Sequence, residues 1–120
     1  MNFQKIKNER GIIMCEYYKN FADLLEQHKK LAYELLHDKG TGQWQTEEIY
    51  CYDDIEIFAE YELFDGWYAN LNLDRHFNGA PNPVHFIDLL ELGHALVRSW
   101  DESCYFKSHN GKVLQTNVGW

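Results

Sequence analysis

The sequence predicts an α+β fold: an antiparallel β-meander plus a C-terminal hairpin, with two helices packed on one face, in the order α-β-β-β-α-β-β. Three observations predict it. Apolar residues alternate with period two through 55–74, helical apolar stripes lie on either side of that stretch, and Asn110-Gly111 near the end is a hairpin-turn signal.

The meander is read first because the rest is arranged around it. A strand from roughly Thr46 to Tyr52 turns at Asp53-Asp54, and the pattern leaves open whether Ile49 and Cys51 or Tyr50 and Tyr52 point inward. Then Ile55, Ile57, Ala59, Tyr61 and Leu63 alternate with Glu56, Phe58, Glu60 and Glu62, and Trp67, Ala69, Leu71 and Leu73 alternate with Tyr68, Asn70, Asn72 and Asp74. A two-residue turn at Asp65-Gly66 would set every apolar residue opposite a polar one. A three-residue loop, Phe64-Asp65-Gly66 with Gly66 left-handed, pairs Leu63 with Trp67, Tyr61 with Ala69, Ala59 with Leu71 and Ile57 with Leu73. The other face then sets Glu62 beside Tyr68, Glu60 beside Asn70, Phe58 beside Asn72 and Glu56 beside Asp74. Same-side carboxylates along one strand stand about 6.6 to 6.8 Å apart.

The first helix is expected from Asn20 to Asp38. Asn20 is its N-cap, Asp23 sits in its first turn, and Gly40 ends it in a left-handed conformation. Phe21, Leu24, Leu25, His28, Leu31, Ala32 and Leu35 share one stripe. The lead-in before about residue 15 offers Ile12 and Ile13 for docking and a short strand; Met1 and Met14 are both candidate starts. After an irregular connection over 75–81, Asn82-Pro83 starts the second helix, which runs to about Trp100. Its buried face holds Phe86, Leu89, Leu90, Gly93, Leu96, Val97 and Trp100. Gly93 costs about 1 kcal/mol of helix propensity, which a close helix-on-sheet contact would explain. The last hairpin joins Tyr105–His109 to Lys112–Thr116 through a two-residue turn at Asn110-Gly111, and Asn117 to Trp120 either docks through Trp120 or frays.

At 120 residues the chain reads as a single globular domain, 1–120. Hydrophobic content of 45% and aromatic content of 16% argue for a packed core and against disorder. The net charge of −8 disfavours direct contact with nucleic-acid backbones or anionic membranes and favours a basic partner. No apolar run approaches membrane-spanning length. Cys15, Cys51 and Cys104 are odd in number and widely spaced, which reads as free thiols in a reducing, cytoplasmic setting.

No motif for catalysis, cofactor or metal stands out. Glu91-Leu-Gly-His94 has the Glu-x-x-His spacing of di-iron bundles, but in a single copy on a polar helix face. His28 reads as a core histidine satisfied by a carbonyl or hydroxyl. His76 and His85 flank a loop without a nucleophile at any recognisable spacing.

The expected contact surface is the acidic-aromatic sheet face: Glu56, Phe58, Glu60, Glu62, Tyr68 and Asp74. Ranked carboxylates with aromatics among them suit a basic protein surface. The function expected is macromolecular binding of the inhibitor, immunity or nucleic-acid-mimic type, with a homo-oligomer that buries the C-terminal hairpin edge or the aromatic face as a further reading. The alternative is a small-molecule-binding or catalytic domain. Its pocket would lie between sheet and helices, lined by His28, Tyr61, Trp67 and Trp100, with His76 or His85 at the mouth.

Overall fold

Five antiparallel strands form one sheet in the order β1-β2-β3-β5-β4, covered by helices on both faces. The structure is a computed structural model that describes residues 3–7, 13–76 and 78–120, with side chains from Cys15 onward. The expected docking of Ile12 and the part played by Phe77 in the 75–81 connection lie outside the described residues, and so does the side chain of Ile13.

The strands are β1 (Phe3–Lys7), β2 (Ile13–Tyr18), β3 (Ile49–Tyr52), β4 (Tyr105–Lys107) and β5 (Val113–Thr116). The helices are α1 (Phe21–Gln27), α2 (Lys29–Lys39), α3 (Ile55–Phe64) and α4 (Leu89–Ser99). The α+β class and the C-terminal hairpin are as the sequence predicts. The lead-in proves to be a full strand pair, with Phe3 opposite Tyr18 and Ile6 opposite Cys15.

The principal correction concerns the meander. Only its first strand exists, and 55–64 is helix α3. The segment carries two periods at once. Ile55, Phe58, Ala59, Glu62 and Leu63 are the buried residues of α3, at the i, i+3, i+4, i+7, i+8 spacing of one helix face. The tie is broken at Asp54, which acts as an N-cap rather than a turn residue: its side chain accepts from the Ile57 N–H at 2.8 Å. Gly66 does not adopt positive φ. It is small because a Cβ there would stand 2.6 Å from the Glu62 carboxylate. Residues 67–74 form turns and a short 3₁₀ segment, Ala69–Leu71, in place of the third strand.

The expected arrangement of two helices on one face is corrected as well. Ile49, Cys51, Phe106 and Leu114 pack with Tyr18 against α1, α2 and Trp44. Tyr52, Tyr105, Val113 and Cys15 pack against α3 and α4. The central strands are thus buried on both faces, and the choice between Ile49/Cys51 and Tyr50/Tyr52 has no single answer. Both pairs face protein.

The first helix is capped as predicted. The Asn20 side chain accepts from the Asp23 N–H at 3.0 Å, and Gly40, at φ 74°, donates to the Leu36 carbonyl at 2.8 Å. It breaks once, at His28 (φ −141°, ψ 74°), into α1 and α2. Asn82-Pro83 opens only a 3₁₀ turn, Pro83–Phe86; α4 proper is capped by Asp88, whose side chain accepts from the Glu91 N–H at 3.1 Å. The expected buried face shrinks accordingly: Gly93 and Leu96 are buried, whereas Phe86 is 76% exposed. Gly93 does mark a close approach, but to a helix. A Cβ there would lie 2.6 Å from the Ile55 carbonyl oxygen of α3.

In the last hairpin Lys107 pairs with Val113, and the Ser108 N–H donates to the Lys112 carbonyl at 2.8 Å. The connection is therefore a three-residue loop, 109–111, and not the expected two-residue turn, with Gly111 left-handed at φ 86°. Trp120 docks rather than frays: its ring meets Trp44 edge-on at 5.2 Å, and its backbone N–H donates to the Ser103 carbonyl at 2.7 Å.

Candidate functional site

The six residues expected to share one sheet face do not share it. On α3, Phe58 and Glu62 lie on the buried face, while Glu56 and Glu60 lie off it. Phe58 is fully buried, in contact with the rings of Tyr52, Trp67, Trp100 and Tyr105. Glu62 is buried too, with 3% of its surface exposed. Both are withdrawn as contact residues. Glu56 and Asp74 are exposed and Glu60 and Tyr68 half-buried, and all four belong to the α3–α4 layer.

The buried Glu62 carboxylate accepts from the Trp67 N–H at 3.3 Å, while the Tyr68 N–H donates to the Glu62 carbonyl at 2.9 Å. Glu62 thus fixes the chain as it leaves α3. Burial raises its pKa above the ordinary carboxyl range, and the Trp67 N–H offsets part of that rise. Around it Trp100 stacks on Tyr105 at 5.2 Å, with an interplanar angle of 11°. Burial likewise pushes the Tyr105 hydroxyl up to about 12, with Glu62 adding to the rise.

What the α3–α4 layer does concentrate is charge and exposed apolar surface. Residues 54–99, which span α3 and α4, hold eight of the 19 acidic residues but only Arg75 and Arg98 of the 11 Lys and Arg; the remaining 74 residues hold eleven acidic and nine basic. Asp54, Glu56, Asp65, Asp74, Asp88 and Glu91 are all exposed. So are Trp67, Leu71, Phe86 and Leu90, which make up four of the six large exposed apolar residues among those described. The irregular 65–88 connection therefore keeps apolar side chains in water beside carboxylates. Asp74 is held in place, accepting from the Asn82 side chain at 2.7 Å, and Asn82 is itself buried. A running charge count along the sequence would have found this segregation; the exposure of Phe86 and Leu90 carried no such signal.

The expected pocket is divided by the sheet. His28 meets the Tyr18 ring edge-on on the α1–α2 side, whereas Tyr61, Trp67 and Trp100 belong to the α3–α4 side. His28 is not a core residue. Its side chain is about one-third exposed at the α1–α2 break, 3.4 Å from a carboxylate oxygen of Glu16. The same Glu16 oxygen accepts from the Tyr18 hydroxyl. His76 and His85 are exposed, as are Glu91 and His94 on α4.

Among the described residues, no group of three His, Cys, Asp or Glu side chains is arranged to hold a metal ion. The cysteines are free, and burial pushes the Cys15 thiol up to about 11 and the Cys51 thiol up to about 12, which keeps both protonated and poor as nucleophiles at neutral pH. Among the described residues no helix is long and apolar enough to cross a membrane. No family model matches the chain, and comparison with curated proteins and with solved structures finds no match.

Proposed function

We propose that this chain acts by binding another macromolecule, through the α3–α4 layer, and that its partner presents a basic protein surface. The observation that carries this reading is the coincidence, on one layer, of the acidic excess with four exposed apolar side chains. Carboxylates speed and orient encounter with a cationic surface, while Trp67, Leu71, Phe86 and Leu90 offer area that gains from being covered. Small acidic inhibitors, immunity proteins and nucleic-acid mimics work by this division of labour. Glu56 and Asp74 keep the role expected for them, now as part of a helical and loop surface, with Asp65, Glu91 and Phe86 added to them.

The test compares capture of partners from lysate at low and high salt by the native chain and by variants. Reversing charge at Glu56, Asp65 and Glu91 together, or changing Phe86→Ser, abolishes low-salt capture on this reading. Reversal at Glu26 and Asp38 on the opposite layer leaves it intact. Capture that survives the first set of changes, or that falls equally with the second, overturns the assignment of the surface.

A further inference from the structure

A cavity of about 330 Å³ lies on the opposite layer, between the α1–α2 break and the β4–β5 loop. Its lining includes Lys29, Lys30 and Lys112, three of only 11 Lys and Arg in a chain of net charge −8. His28, Ser108 and Asn110 complete its polar wall, and Glu34 is the one acid in it. The cavity is thus a local reversal of the protein's overall sign.

Two further features of the wall favour an anion. First, α2 begins there without a side-chain cap: His28 occupies the capping position and makes no such hydrogen bond. The first-turn amides of an 11-residue helix therefore open at the cavity with the positive end of its dipole. Second, Ser108 is buried, only 4% exposed, and its hydroxyl oxygen accepts from the Lys112 N–H at 3.0 Å. The hydroxyl proton has no protein acceptor among the described residues. A buried donor without an acceptor is costly unless something supplies one.

The carboxylates nearby are already engaged. Glu34 accepts from the His109 N–H at 2.7 Å, Asp53 stands 3.2 Å from the Lys112 ammonium, and Glu16 stands 3.4 Å from His28. They temper the positive field without removing the donors. The volume admits a small molecule, and the surrounding negative charge repels an extended polyanion.

We infer that this cavity binds a small oxyanion of the phosphate-monoester class, held by Lys29, Lys30, Lys112, the Ser108 hydroxyl and the α2 N-terminus. The site is separate from the surface proposed for the partner and stands or falls independently of it.

The experiment titrates the full-length chain with inorganic phosphate and with glycerol 2-phosphate. Sodium chloride at equal ionic strength is the control, and backbone amide NMR shifts are read. Saturable shifts confined to Lys29, Lys30, Leu31 and the 108–112 loop are expected with both phosphates and absent with chloride. Lys29→Gln with Lys30→Gln, both exposed and free of core contacts, weakens binding at least tenfold at unchanged melting temperature. Ser108→Ala weakens it further. Shifts that never saturate, that chloride reproduces, or that the double Lys variant leaves unchanged overturn the site. Binding of inorganic phosphate without glycerol 2-phosphate removes the monoester assignment and leaves an inorganic anion site.

Discussion

The two helical layers cover one sheet, yet they are built differently. On the α1–α2 side, Trp44 is fully buried between Phe21 and Trp120, with ring centroids 5.4 and 5.2 Å away, and Leu24, Ala32 and Leu35 are inaccessible. On the α3–α4 side the helices meet through Gly93, and Trp67, Leu71 and Phe86 of the connecting segment stand exposed. Both layers bury an apolar core, but four of the six large exposed apolar residues among those described belong to the second. On that difference, the sheet and α1–α2 are expected to supply most of the stability, with α3–α4 carrying residues that folding alone would not favour.

Breaking the first layer has the largest expected effect. Trp44→Ala removes the ring shared by Phe21 and Trp120 and should cost about 3 to 5 kcal/mol, read as a large drop in the denaturant midpoint. A loss below about 1 kcal/mol would show that the α1–α2 layer does not dominate stability.

Next comes the contact of α4 with α3. Gly93→Ala should gain helix propensity yet lose about 2 kcal/mol overall, because its Cβ meets the Ile55 backbone and the helices must part. Hydrogen exchange should locate the loss in α3 and α4 and leave α1 and α2 protected. A stabilised variant would mean that the two helices separate at little cost.

The smallest effect is a pH dependence. Burial holds the Glu62 pKa above its unfolded value, so the folded chain binds a proton more readily than the unfolded one. The stability contributed by this group is complete below the unfolded pKa and is lost as pH rises through the raised folded value. Glu62→Gln stays neutral and keeps an acceptor for the Trp67 N–H. Its melting temperature should therefore gain on that of the native chain between pH 4 and pH 7. A constant difference across that range would show that Glu62 ionises in the fold at no cost.

The sequence made the caps and the ends of the fold legible. Asn20, Gly40 and the C-terminal hairpin are readable because each depends on a few neighbouring residues. The α3 segment reads as strand in the sequence because Ile55 to Leu63 satisfies both periods, and the capping bond of Asp54 decides between them. Local pattern does not reveal that a second helical layer would cover the sheet, and Glu62 on a buried helix face looks in sequence like any solvated carboxylate. Of the six expected contact residues, Glu56 and Asp74 are exposed: Glu56 lies off the buried face of α3, and Asp74 lies in the connection beyond it. His28 was readable as a residue on an apolar stripe, but the break in the helix beneath it was not.

The strand order carries a consequence for how the chain is made. β5 follows β3 and β4 in the chain but lies between them in the sheet, so β4 has no sheet neighbour until β5 has been made. The growing chain carries β3 with one side unpaired through more than fifty residues of synthesis, and the sheet then closes in a single late step.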